Sequence, residues 1–163
     1  MAKHTWSGSD DDWVRSRYQA AYDVLRARGQ SDDAAKPIAI SIVSHWAIET
    51  GRGKNEYNYN VGNITAVGAQ PHVELRDISG VTMRFRAFMS LAEGVGAYLD
   101  LLSQSRYANA KEMLFSNPTS SDWYIALGHA GWFDPTAAQP PSTWDAARTL
   151  YESVRKSVAQ VIG

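Results

Sequence analysis

The sequence predicts an α+β fold, mostly α, in which a helical body carries one small β-hairpin. Three observations predict it. Apolar residues recur at helical spacing along most of the chain. One segment, IAISIVSHWAIETG, is apolar almost all round and therefore belongs in the centre of a domain. Only between residues 72 and 88 does the pattern change to alternation, in two short runs separated by DISG. A chain of 163 residues suits one domain with a self-sufficient core. That domain is expected over residues 10–163, behind a flexible polar segment at 1–9.

The elements follow in order. Asp10, Asp11 and Asp12 supply caps and favourable charge for a first helix. Trp13, Tyr18, Ala21, Tyr22 and Leu25 continue it, and Gly29 ends it. Ser31-Asp32-Asp33 opens a second start, with the helix proper expected from Pro37, a first-turn residue, to Gly51. Residues 52–71 read as irregular, because Asn55, Asn58, Asn60 and Asn63 alternate with glycines that favour turns and positive φ. HVELR and VTMRFRAF form the expected hairpin, inside a β-lobe of about residues 65–88. Ser90 and Glu93 make a capping-box pattern for a helix to Leu102. Residues 105–115 and 121–130 read as two more helices divided by Pro118, with Gly131 as a C-cap. After a stiff linker, Ser142 opens a last helix with Ala147, Leu150, Tyr151, Val154, Val158 and Val161 on one stripe.

Composition narrows the function classes. The formal net charge is −1, without the basic excess of a dedicated nucleic-acid binder. No apolar run reaches the roughly 20 residues of a membrane span, so no membrane insertion is expected. The absence of Cys excludes thiol nucleophiles, disulfide frameworks and Cys-zinc sites. MAKHTWSGSDDDW has no apolar h-region, so no Sec signal is expected and delivery to an outside target would need another route.

Several residues are candidates for chemistry. Glu49 closes the most apolar helix, where burial and the negative helix end both disfavour a charged carboxylate, as a general acid requires. The alternative is a Glu pointing into solvent at a frayed end. Glu74 lies mid-strand with His72 on its face, and with Glu49 it would make the carboxylate pair of glycoside hydrolysis. The alternative there is a solvated hairpin face. Asn60 and Asn63 offer amides for sugar hydroxyls and N-acetyl groups, and Tyr57 and Tyr59 offer rings for sugar faces. Equally, the Asn side chains would satisfy turns of their own loop. The tryptophans read as core by default, except Trp132, which with Phe133 sits in a loop suited to face a groove. His45 and Glu49 share a helix face at i, i+4, but HWAIE is not HExxH and no third metal ligand is specified. No metal and no cofactor are expected.

Taken in order, these residues resemble the bacterial glucosaminidase family of peptidoglycan hydrolases. AIETGRGK is similar to that family's A-x-x-E-S-G-W-G-K, at Ala47, Glu49, Gly51, Gly53 and Lys54. Asn60, Gly62 and Ile64 match its N-N-x-F-G-I segment, and PHVELRDISG matches T-x-E-Y-x-x-G with Glu74 as the second acid. FRAFMSLAEGVGAYLDLL matches at Phe85, Arg86, Ser90, Glu93, Tyr98, Leu101 and Leu102, and Ala130-Gly131-Trp132-Phe133-Asp134-Pro135 stands for A-G-Y-A-T-D-P. The chain departs at Arg52, where the family has an aromatic residue, and at Trp132, which removes a tyrosine hydroxyl near the reacting sugar.

The resemblance implies a lysozyme-like helical domain with a small β-hairpin lobe flanking a substrate groove. It implies an endo-β-N-acetylglucosaminidase-like hydrolase of peptidoglycan, with Glu49 as acid and Glu74 as base or electrostatic partner. A muramidase or lytic transglycosylase would use the same scaffold. Other readings are a non-catalytic glycan-binding or virion structural module, and a metallopeptidase built on His45, Glu49 and His72. Delivery by a phage lysin, a virion-associated lysozyme, holin-type release or a contact secretion system would suit these facts, with other virion proteins as further partners.

Overall fold

The computed structural model describes residues 2–138 and 140–163. Helices α1 (Asp10–Ala27) and α2 (Asp32–Thr50) precede the hairpin of β1 (His72–Arg76) and β2 (Thr82–Arg86). Helices α3 (Leu91–Leu102), α4 (Ala108–Ser116), α5 (Asp122–His129) and α6 (Trp144–Ile162) follow, with short 3-10 turns at Ser105–Tyr107 and Pro135–Ala137. Among the described residues no helix is long and apolar enough to cross a membrane.

The chemistry of each helix start is local. Ser9, Ser31, Ser90 and Thr143 each accept a backbone N–H from the residue three positions on. At α3 Glu93 also reaches back, accepting the N–H of Met89, one residue before the cap, at 3.2 Å. The second helix starts five residues earlier than Pro37 suggested. Ser31 caps it, and Pro37 lies inside. Residue 33 is exposed, so water can take the carbonyl that Pro37 leaves without a donor. The last helix is capped by Thr143 rather than Ser142.

The central helix is α2. It packs on α1, α6 and α4, and Ile38, Ala39, Ile42, Val43 and Trp46 are fully enclosed. A helix apolar on every side has no face to leave in water. The stripe of α6 is narrower than its spacing suggested. Ala147, Tyr151 and Val158 are buried, whereas Leu150 is exposed and borders a pocket.

The hairpin pairs His72 with Arg86, Glu74 with Arg84 and Arg76 with Thr82. Residues 2–6 lie along the loop that follows α2. Asn58 holds them with both ends of its amide, accepting from the N–H of His4 and donating to the carbonyl of Ala2. Thr5 bridges Tyr57, and Trp6 lies against the Arg17 guanidinium. The neighbouring loop offers this short polar stretch both backbone and side-chain partners. Met1 lies outside the described residues.

The loop from Gly51 to Gln70 is fixed by buried polar groups. Glu56, 2% exposed, takes Arg17 Nη2, Arg17 Nε at 3.0 Å and Trp13 Nε1 at 2.8 Å. Asn60, also buried, donates to the carbonyls of Ile64 and Arg86 and accepts from Ile64 N–H. These bonds tie the loop to α1 on one side and to the β-lobe on the other.

Candidate active site

Glu49 sits in the last turn of α2. Gly51 ends that helix in the left-handed region, at φ 58°, and sends its N–H back to Ala47. Thr50 bonds the carbonyl of Trp46 and accepts from Gly53 N–H, which turns the chain sharply away. The Glu49 carboxyl is thereby left at the rim of the core, 19% exposed.

Behind it lies His45, with no exposed surface. Its Nε2 is 3.2 Å from Glu49 Oε1, and its Nδ1 is 2.8 Å from the Tyr98 hydroxyl. Trp123, Tyr124 and Trp132 pack around the imidazole edge-on, with centroids 5.3–6.0 Å away. Burial pushes the Tyr98 phenol well above its ordinary range, and the charges of Tyr151 and Glu49 add to this. Tyr124 is raised for the same reason, chiefly burial and then the Glu49 charge. Both phenols therefore keep their protons at neutral pH.

In front of Glu49 is a pocket of roughly 330 Å³, bounded by Ile48, Tyr124, Phe133, Asp134, Ala147 and Leu150. Phe133 stacks on Tyr124 at 4.5 Å. Gly128 permits this, since a Cβ there would stand 2.6 Å from both Phe133 and Trp144. Trp132 plays a different part from the neighbouring Phe133. It is only partly exposed and wedges among His45, Tyr98 and Tyr107, behind the carboxyl.

Glu74 borders a second pocket, of roughly 370 Å³, with Tyr57, Asn55, Asn63, Arg76 and Phe85. Its side chain is 61% exposed, and His72 Nε2 lies 3.7 Å away. His72 Nδ1 lies near the Gln70 carbonyl and Arg84. Asn63 joins the two halves. It borders the Glu74 pocket while its amide donates 2.6 Å to the backbone carbonyl of Glu49. The two carboxylates thus lie on different depressions, and Asn63 ties the Glu74 side to the backbone of Glu49.

The remaining candidates lie nearby in different roles. Tyr57 carries Lys3 over its ring. Tyr59 has positive φ and packs against the core and His4. Asn60 spends its amide on the loop. Among the described residues no group of three or more His, Asp or Glu could hold a metal ion, and His72 does not complete a set with His45 and Glu49.

Tyr124 was not singled out from sequence, although it faces Glu49, because its spacing on α5 reads as ordinary core. The same is true of the Tyr98–His45 contact, which links positions 53 residues apart. Only the i, i+4 spacing of His45 and Glu49 was a usable local signal.

The fold is that of solved proteins. A peptidoglycan hydrolase from Sphingomonas sp. A1 has the same fold at a TM-score of 0.67 and 23% identity, over 93% of this chain and 94% of that one. The glycoside hydrolase domain of Salmonella typhimurium FlgJ matches at a TM-score of 0.63 and 20% identity, over 94% of this chain and 90% of that one. A C-terminally truncated form of that domain matches at 0.61 and 19%. These likenesses establish the fold: a helical body with a two-stranded lobe. No known protein-family pattern matches the chain, and no curated protein matches it.

Proposed function

We propose that this protein hydrolyses the glycan strands of peptidoglycan, cleaving after N-acetylglucosamine, with Glu49 as the general acid. One observation carries the reading. A single carboxyl, partly withdrawn from water at the end of a buried helix, is bonded from behind and opens in front on a pocket with an aromatic wall. Such a group can hold a proton and deliver it to a glycosidic oxygen. The fold shared with a peptidoglycan hydrolase and a glycoside hydrolase domain supports the same substrate class.

In this reading the sugar chain runs from the Glu74 pocket past Asn63 to the Phe133 pocket. Phe133 and Tyr124 present ring surface to a sugar or its acetyl group. Tyr57, Asn63 and His72 line the approach on the lobe side. Glu49 protonates the leaving oxygen as the anomeric bond opens. Glu74 then activates water or stabilises the positive charge that develops on the sugar. Asn60 and Tyr59 hold the loop, and Trp132 fixes the wall behind the acid. No cofactor is needed for these steps. Delivery by phage, as a lysin or virion-associated lysozyme, is the part of the proposal that rests on sequence alone.

The test is digestion of purified peptidoglycan, followed by borohydride reduction and mass spectrometry of the new ends. Reduced N-acetylglucosamine ends are expected. Reduced N-acetylmuramic acid ends would make the protein a muramidase, and anhydro ends a transglycosylase. Binding without any new ends, across several wall types, would make it a glycan-binding module instead. Glu49→Gln is expected to keep its fold and lose turnover, and full activity in that variant would overturn the assignment.

A further inference from the structure

We infer that Tyr98, His45 and Glu49 form a one-directional hydrogen-bond relay that leaves Oε2 of Glu49 as the oxygen carrying the reactive proton. This deepens the proposal above and rests on Glu49 being the acid. The direction follows from satisfying each buried group. The Tyr98 side chain is fully buried, its hydroxyl lies 2.8 Å from His45 Nδ1, and its other polar neighbour is the Trp46 indole N–H, which can only donate. A protonated, buried phenol with no other acceptor must donate there, because an unmade O–H bond is costly. His45 Nδ1 is then the bare, accepting nitrogen. In a neutral imidazole the proton is therefore on Nε2, and Nε2–H donates to Glu49 Oε1 at 3.2 Å.

His45 is enclosed on all sides. The groups that face it are Tyr98 on α3, Trp123 and Tyr124 on α5, Trp132 in the following loop, and Glu49 on its own helix. Of these only the two phenols and Glu49 titrate, and none is cationic. The imidazole cannot act as a base toward solvent, since it has no exposed surface.

The consequence is chemical. With Oε1 occupied by a donor, the acid proton sits on Oε2. In the reaction the Oε2–H bond breaks, its proton passes to the glycosidic oxygen, and the bond from that oxygen to the anomeric carbon opens with its electron pair going to the leaving sugar. The carboxylate that remains keeps the Nε2–H bond, so the relay favours the product state of proton transfer. His45 and Tyr98 are positioning residues. They touch no substrate and act through Glu49.

Two measurements test this. In the full chain labelled with 15N-histidine, NMR is expected to show His45 neutral, with Nε2 protonated and Nδ1 bare. The Nδ1–H tautomer, or an imidazolium at neutral pH, would overturn the relay whether or not the protein cleaves glycan. In turnover, His45→Phe is expected to lower kcat about 10- to 100-fold with KM within about twofold, as loss of a bond to a charged group implies. His45→Gln, whose amide can donate to Oε1 and accept from Tyr98, is expected to recover much of the rate. A folded His45→Phe with wild-type kcat, or a His45→Gln no better than His45→Phe, would refute the inference. If His45→Phe fails to fold, Tyr98→Phe carries the kinetic test, with a fall of about tenfold expected and wild-type behaviour refuting. Wild-type protein inactive on every wall but showing the Nε2–H tautomer would sink the hydrolase reading and leave the relay standing.

Discussion

Replacing Glu56 by Gln is the sharpest test of how the loop beside the candidate site is held. One carboxylate there receives three donors, two from Arg17 and one from Trp13, and neither Glu56 nor Arg17 is more than 4% exposed. Glutamine keeps the shape but turns one acceptor oxygen into a donor facing a guanidinium. It also leaves the Arg17 charge buried without a counter-ion. Breaking a buried pair from one side costs about 3–5 kcal/mol. Total stability for a domain is roughly 5–15 kcal/mol, so the loss is a large fraction of it. For a chain of this size each kcal/mol moves Tm by about 2–4 °C, so Tm should fall by roughly 6–20 °C. Urea denaturation at neutral pH gives the free energy directly. A loss under about 1 kcal/mol would refute the idea that this pair anchors the loop. Replacing both partners, Arg17→Met with Glu56→Leu, is expected to restore part of the stability, because no unpaired charge then remains and only the Trp13 indole N–H loses its acceptor.

Other perturbations follow from the same geometry. Gly94→Ala would put a Cβ 2.0 Å from the backbone carbonyl of Tyr59, and a calorimetric loss of about 1–3 kcal/mol is expected as α3 is pushed from the loop. Gly128→Ala would displace Phe133 from the Tyr124 face, and should raise KM for glycan more than it lowers kcat in steady-state assays. Arg148, bonded at 2.7 Å, holds the Asp122 carboxyl below its usual 3.8. The α5–α6 contact it makes is thus fully present above that value and is lost as pH falls through the lower folded one. Asp122→Asn is expected to flatten the acid branch of a stability–pH curve, and an unchanged branch would exclude the contact as a contributor.

Local patterns were the legible part of the fold. The hairpin could be placed from HVELR and VTMRFRAF because alternation on either side of DISG is a local signal, and the strands pair there. The α3 start was readable from Ser90 and Glu93 because both halves of the cap lie within four residues. Pro37 misled, since its first-turn preference was weighted above the Ser31 cap. Leu150 fitted the stripe of α6 yet borders the pocket, because spacing defines a face and not what lies opposite it. Of the site, Glu49 was visible as a carboxyl at the end of an apolar helix. Its supports were not, since Tyr98, Tyr124 and Trp132 reach His45 from distant parts of the chain. Glu56 gave no sign at all: among Asn, Tyr and Lys it reads as an exposed loop acid, and its partners are 39 and 43 residues away.

The loop after α2 also sets its own rules for mutation. Arg52, Asn58, Tyr59 and Asn63 all have φ between 50° and 58°, a region where residues other than glycine are uncommon and β-branched ones are outliers. In a saturation library these four positions should therefore tolerate Asn, Asp or Gly and reject Val, Ile and Thr, regardless of how much surface each shows. At Asn63 the choice narrows further, because its amide also bonds the Glu49 carbonyl. The evolutionary record of such a loop would be written by backbone handedness before it was written by substrate.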